Sequence, residues 1–157
     1  MRGEWIPEGR YHMVVHVVIF NSRGEMLIQQ RQPFKEGWPN MWDVTVGGSA
    51  VQGDDSRTAA QREVMEEIGL AIDLTGETPR LTIPFSCGFA DIYTLIRDVD
   101  LDALTLQESE VQAVKWATEA EIQQMIADGR FIPYHTALIS LLFALRHKRG
   151  TIARENG

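Results

Sequence analysis

The chain is poor in several things, and each shortage excludes something. It has one cysteine, Cys87, among 157 residues. No disulfide framework can form within the chain, which fits a reducing compartment. Cys87 has no basic sequence neighbour to activate it, so an inert, partly buried thiol is expected. The longest apolar run, near Ala137–Leu145, is too short and too polar to span a bilayer. The opening MRGEWIPEGR has no apolar stretch of the kind a secretory signal carries. Basic residues are outnumbered, 15 Lys and Arg against 22 Asp and Glu, giving a net charge of −7. Such a surface repels nucleic acid and anionic membranes. A phosphorylated small molecule remains admissible where metal ions neutralise it locally. There is no repeat, low-complexity segment or linker. One domain over residues 1–157 is therefore expected, with 1–10 an irregular arm and 149–157 a frayed tail carrying Arg149 and Arg154. A soluble cytoplasmic protein is the simplest reading.

What is present is an ordinary globular composition, 44% apolar and 24% charged, with alternating strand and helix signals. Tyr11–Phe20 (YHMVVHVVIF) is β-branched and aromatic and reads as a buried strand. Its His12 and His16 are even-spaced and share a side. They read either as hydrogen-bonded sheet histidines or as ligands to metal or substrate. The turn cluster Asn21–Gly24 returns the chain as a second strand, Glu25–Arg31, in a hairpin. Gln32–Asn40 (QPFKEGWPN) is a loop in which Phe34 and Trp38 flank Lys35. It reads as a flap that stacks on a ring and meets phosphate through Lys35 or Arg31, or as a loop whose aromatics pin it to the body. Met41–Val46 is a short strand running into Gly47-Gly48.

Further on, Leu81–Phe85 and Phe89–Ile96 read as strands broken by a turn or bulge at Ser86-Cys87-Gly88. The acidic stretch Asp98–Glu110 precedes a strand, Val111–Ala117. Thr118-x-x-Glu121 is a capping box opening a helix over Glu119–Asp128, which Gly129 ends. Pro133 opens a last helix to about Lys148, with Leu138, Leu141, Leu142 and Leu145 inside.

The densest chemistry lies in Gly47–Leu70, GGSAVQGDDSRTAAQREVMEEIGL. Asp55 or Ser56 can cap a helix running to Ile68, with Gly69 as a left-handed stop. Glu63, Glu66 and Glu67 fall on one face and Ala60, Val64 and Ile68 on the next. Crowded carboxylates repel unless a cation sits among them, and oxygen-only donors suit Mg²⁺ or Mn²⁺. A solvated acidic face with i,i+4 pairing, Arg62 to Glu66, is the plainer reading of the same spacing.

The fixed spacing of this stretch closely resembles the Nudix box, Gly-x5-Glu-x7-Arg-Glu-U-x-Glu-Glu-x-Gly-U, with U a bulky aliphatic. Gly48, Arg62, Glu63, Val64, Glu66, Glu67, Gly69 and Leu70 meet eight of its nine positions, and Asp54 replaces the first Glu. The order HMVVHVVIFN, GEMLIQQR, WPNMWDVTVGG, box, ESEVQAVKW is similar to the branch related to isopentenyl-diphosphate isomerase, over roughly residues 11–135. The resemblance implies an α/β (α+β) fold, an α/β/α sandwich with a mixed β-sheet between helices. It implies metal ligands at Glu63, Glu66, Glu67 and the Gly47 carbonyl, with Glu67 or Glu110 taking the proton from water, so that Glu63, Glu67 and Glu110 form the catalytic set. Arg62, Asp54 and Gly48 would orient the box.

In the isomerases a catalytic cysteine and a metal-binding histidine stand where this chain has Gly47 and Ser49, while His12, Glu108 and Glu110 match their other ligands. Without the cysteine, double-bond proton transfer lacks an acid–base partner. A Mg²⁺- or Mn²⁺-dependent hydrolase of a nucleoside diphosphate linked to another moiety, or of a related diphosphate, is the expected function. An isomerase-like enzyme and a non-catalytic binding module are the alternatives. Specificity is expected in Gln32–Asn40 and Ser86–Asp91, and a homodimer is compatible with the sequence.

Overall fold

The computed structural model describes residues 12–147 and 150–153. The expected N-terminal arm, Arg149 and Arg154 lie outside the described residues. In chain order the elements are β1 (His12–Phe20), β2 (Met26–Arg31), β3 (Trp42–Asp43), β4 (Val46–Ser49), α1 (Ser56–Ile68), β5 (Leu81–Phe85), β6 (Gly88–Ile96), β7 (Val111–Ala117), α2 (Glu119–Ala127) and α3 (Thr136–Leu145). The strands form one mixed sheet in the order β3-β2-β1-β6-β5, with β4 on β1 and β7 on β2. The β1–β6 pairing is parallel; the remaining pairs are antiparallel.

The two-residue period of β1 divides the core into two layers. Val15, Val17 and Ile19, with Leu27 and Val46, meet Ala59, Ala60, Val64 and Ile68 of α1. Val18 and Phe20, with Met26, Ile28 and Ile92, meet Ile122 and Met125 of α2 and Ile139, Leu142 and Phe143 of α3. Helices therefore cover both faces, giving the α/β/α sandwich with a mixed sheet between. No helix among the described residues is long and apolar enough to cross a membrane.

The ends of α1 are fixed by its own sequence. The Asp55 carboxylate accepts from the Thr58 amide at 2.7 Å, an N-cap worth about 1 kcal/mol. Gly69 adopts φ 69° and returns its N–H to the Met65 carbonyl, a conformation that disfavours any residue with a Cβ. The capping box of α2 is formed by Thr118 and Glu121 as expected, and Gly129 follows it at φ 75°.

Five expectations are corrected. The turn at Asn21–Glu25 exists, but β1 and β2 pair only at Phe20–Met26. Beyond that point Thr45 is wedged between them: its hydroxyl accepts from the Ile19 N–H at 3.0 Å and donates to the Leu27 carbonyl at 2.5 Å. The expected strand Met41–Val46 is consequently split. Its first half, β3, pairs with β2, and its second half runs on through Gly47-Gly48 as β4 against β1.

Cys87 is exposed rather than partly buried, because it sits in the two-residue turn between Phe85 and Gly88, at the end of a hairpin. The last helix begins at Thr136, not Pro133, and ends at Leu145, short of Lys148. Leu138 and Leu145 are half-buried, but Ile139, Leu142 and Phe143 form the inner stripe and Leu141 is 42% exposed, two residues and so about half a turn round the helix from both Ile139 and Phe143.

Candidate active site

Helix α1 lies across β4 and presents Glu63 and Glu67 to the sheet, while the predicted ligand Glu66 is exposed. Glu63 is held where Gly48 has no side chain: a Cβ at Gly48 would overlap the Glu63 carboxylate group. Arg62 closes the other side. Its guanidinium is bound to the Asp54 carboxylate and donates to the Ser49 carbonyl at 3.3 Å. It also stands 3.6 Å from Glu63 and 3.9 Å from Glu66. The i,i+4 pair expected between Arg62 and Glu66 is therefore loose, and the stronger partner is Asp54. The shorter side chain of Asp54 still reaches the arginine, and its Oδ2 also accepts from the Val51 amide at 3.1 Å.

Glu67 is the buried member, 6% exposed. Its Oε1 accepts from Gln29 Nε2 at 3.3 Å, while Oε2 is buried and has no hydrogen-bond partner among the described residues. Burial is the main reason its carboxyl is pushed up from 4.5 to about 8; the charges of Glu63, Asp43 and Glu110 add to the rise, and the Gln29 hydrogen bond opposes it. The Glu63 carboxyl is also raised, first by burial and then by the charge of Glu66.

The C-terminus of α1 draws a distant segment into the site. Thr105 N–H donates to the Ile68 carbonyl at 3.0 Å, and Gln107 N–H to the Glu67 carbonyl at 2.9 Å. These bonds satisfy carbonyls that a helix end leaves open. They also bring Glu110 close enough for its charge to be felt at both Glu63 and Glu67. Glu110 is half-buried and binds Lys35 Nζ at 2.5 Å. Glu108 is exposed.

The loop Gln32–Asn40 is thus fastened by polar contacts. Lys35 holds Glu110, Arg31 Nε donates to the Gly37 carbonyl at 3.0 Å, and Gln112 Nε2 reaches both the Arg31 carbonyl and Asn40 Oδ1 at 2.7 Å. Its aromatics do not pin it: Phe34 is 67% exposed and Trp38 43% exposed, with Trp38 at φ 51°.

Three residues that sequence reading passed over belong to this region. Gln29 is the one hydrogen-bond donor to Glu67 among the described residues. Asp43 is buried, accepting from Tyr134 Oη at 2.5 Å and from the Val44 amide at 2.7 Å. A carboxylate inside the apolar run MWDVTV was the available signal, since a buried charge needs partners. Tyr134 is its partner, and burial beside Asp43 lifts the phenol well above its ordinary range. Of the two histidines, His12 Nε2 lies 2.8 Å from Ser49 Oγ. His16 packs edge-on to Tyr134, its Nδ1 is buried without a partner, and burial lowers its pKa.

The donors around α1 are carboxylate and carbonyl oxygens, the set that suits a hard divalent ion. Among the described residues no three His, Cys, Asp or Glu side chains are grouped closely enough to cage an ion by themselves. A partnerless, buried carboxylate oxygen on Glu67 beside the crowded Glu63 nevertheless fits such a group. Magnesium is commonly held by one or two carboxylates together with substrate phosphates rather than by an all-protein cage.

The site thus sets a carboxylate-bearing helix over a glycine strand, with an arginine–aspartate pair beside it. The NUDIX domain family model matches residues 10–136, and the chain belongs to the Nudix hydrolase family, whose members cleave diphosphate linkages and generally use divalent metals. An uncharacterised Nudix hydrolase of Listeria innocua is 45% identical over 147 residues, covering 94% of this chain and 86% of that one. The crystal structure of a Deinococcus radiodurans protein superimposes with TM-score 0.71 at 24% identity, covering 90% of this chain and 88% of that one, which speaks for the fold. An isopentenyl-diphosphate Delta-isomerase of Streptomyces coelicolor is 38% identical over 71 residues, only 45% of this chain and 36% of that one. The likeness to the isomerase branch is thus carried by a short stretch.

Proposed function

We propose that the protein is a magnesium-dependent hydrolase that cleaves the diphosphate bridge of a nucleoside diphosphate linked to another moiety, or of a related diphosphate. The observation that carries this reading is Glu67: a carboxylate buried among other acids, with one oxygen left without a partner. Glu63, Glu66, Glu67 and the Gly47 carbonyl would hold the divalent ion. When bound, Mg²⁺ neutralises phosphate oxygens and lowers the pKa of water.

The chain's own residues supply the rest. Gly48 leaves room for Glu63, and Asp54 with the Ser49 carbonyl fixes Arg62, so the helix face is held in one orientation. A planar guanidinium forks well between such acceptors. Glu67 takes the proton released by the attacking water. Its Oε2 has no hydrogen-bond partner among the described residues, whereas Glu110 spends an oxygen on Lys35. Lys35 and Arg31 meet the phosphate oxygens, and the exposed Phe34 and Trp38 offer flat faces to the group beyond. The isomerase reading is disfavoured by the residues themselves, because Gly47 and Ser49 carry neither the thiol nor the imidazole that chemistry needs.

The test is a panel of nucleotide sugars, dinucleoside polyphosphates, nucleoside diphosphates and alkyl diphosphates, followed by ³¹P NMR. Cleavage of a diphosphate bridge in the presence of Mg²⁺, abolished by EDTA and restored by excess metal, is the expected result. Isomerised product without phosphate release, or full activity in chelator, would overturn the reading.

A further inference from the structure

The basic residues of this acidic chain stand singly except at one place. Arg146-His147-Lys148-Arg149 is a run of four, and nowhere else do even two adjoin. The run follows the C-terminus of α3, where positive charge complements the helix dipole. That explains part of it, since Arg146 Nη1 donates to the Phe143 carbonyl. It does not explain what stands opposite. Arg146 and His147 line a cavity of about 360 Å³ together with Arg80 and Arg97. Arg80 immediately precedes β5 and Arg97 immediately follows β6, so three parts of the chain bring guanidinium groups to one concavity.

Each guanidinium is held in place by a neutral oxygen. Arg80 Nε donates to Thr94 Oγ1 at 2.8 Å and Arg97 Nη1 to the Ala71 carbonyl at 2.8 Å. Arg146 is seated against the Asn21–Gly24 turn, where a Cβ on Gly24 would come 3.3 Å from its Nη2. Among the described residues neither Arg97 nor Arg146 is paired with a carboxylate, although the chain carries 22 Asp and Glu. Arg146 Nε is buried and has no hydrogen-bond partner among those residues, a state that costs free energy until an acceptor arrives. The cavity shares no lining residue with the candidate active site. It lies at the Phe20–Ile96 end of the β1–β6 pair, whereas Gly48 pairs with Val15, roughly 16 Å back along β1.

We propose that this cavity is a second anion site, and that it takes the phosphate monoester of a small hydroxylated molecule. Planar guanidiniums offer paired N–H donors that match phosphate oxygens. Side chains already fixed by Thr94, Ala71 and Phe143 lose little further freedom on binding. Asp73 and Glu77 share the lining. With the net charge of −7 they repel an extended polyanion such as nucleic acid, while carboxylates accept hydroxyl donors. The volume is more than twice the about 150 Å³ that holds a benzene, which leaves room for a carbon body beside Leu74, Leu95 and Ile96.

The test is an NMR titration of the intact ¹³C-methyl- and ¹⁵N-labelled protein in EDTA, with ionic strength held constant by sodium chloride. The probes are inorganic phosphate and glycerol 3-phosphate. Both are expected to shift the methyls of Leu74, Leu95 and Ile96 and the Nε–Hε signals of Arg97 and Arg146, the ester binding at least as tightly. Arg97 is exposed, so Arg97→Gln should fold normally, and it is expected to weaken both probes by about 10- to 100-fold. Arg146→Lys keeps the charge but loses the fork, and is expected to weaken them by about 2- to 10-fold. Arg31→Gln, in the candidate active site, should leave both affinities at this cavity unchanged. Equal shifts from chloride alone, shifts confined to α1 and Gln32–Asn40, or parental affinity in Arg97→Gln would each overturn the second site. Phosphate binding without the ester would refute the ligand class. None of these readouts needs turnover, so the diphosphate-cleaving reading stands or falls separately.

Discussion

Replacing Glu67 with glutamine should stabilise the metal-free protein at the pH where it stops the enzyme. Glu67 is 6% exposed, and its carboxyl is shifted from 4.5 to about 8 mainly by burial. Between those values the folded protein holds a proton that the unfolded chain has released, so stability falls as pH rises through the window. The slope is about 1.4 kcal/mol for every pH unit, or about 5 kcal/mol across the whole interval. Glutamine keeps the shape and does not titrate. The stability difference between Glu67→Gln and the parent should therefore widen by about 3 kcal/mol from about pH 5 to about pH 8. Urea unfolding in EDTA, followed by tryptophan fluorescence at several pH values, reads this directly. Added Mg²⁺ should narrow the difference at the upper end by binding the folded parent. Turnover should fall by about 10²- to 10⁴-fold in the variant. A difference that stays constant across the pH range would show that Glu67 is not a strained buried acid. An unchanged turnover would remove it from the chemistry.

Two further substitutions test the frame around it. Gly48→Ala places a methyl against the Glu63 carboxylate, and kcat is expected to drop by about 10²-fold or more, with circular dichroism showing the same helix content. Asp54→Ala and Arg62→Ala should each lower the Tm modestly, because the pair is near the surface. The double variant should be little worse than either single one, since the two residues act as a unit; additive losses in thermal unfolding would contradict the fork.

Much of the site was legible because it is local. A cap at Asp55, a stop at Gly69 and a fixed spacing between them define α1 and align Glu63, Glu66 and Glu67 without reference to the rest of the chain. The Arg62–Asp54 partnership also lies within one helix and its approach. What escaped was contact at long range. Nothing near Thr45 announces that its hydroxyl bridges β1 and β2, so a long hairpin was the natural reading of Tyr11–Arg31. The pull of Thr105 and Gln107 on the end of α1, which delivers Glu110, spans about forty residues. Leu141 was misplaced because Leu138, Leu141, Leu142 and Leu145 repeat at a helical period of their own, which meets the true inner stripe of Ile139, Leu142 and Phe143 only at Leu142. Buried Asp43 and half-buried Tyr134 are partners 91 positions apart, and only one of them carried a sequence signal.

The most direct test is anomalous diffraction from crystals grown with Mn²⁺ and a methylene-bridged diphosphate. The expected result is at least one manganese peak in contact with Glu63 and Glu67, with the bridging phosphonate oxygens on the same ion. Manganese bound elsewhere, or an analogue seated away from α1 while Glu63 still leans on Arg62, would contradict the assignment of this helix as the place where the diphosphate is cut.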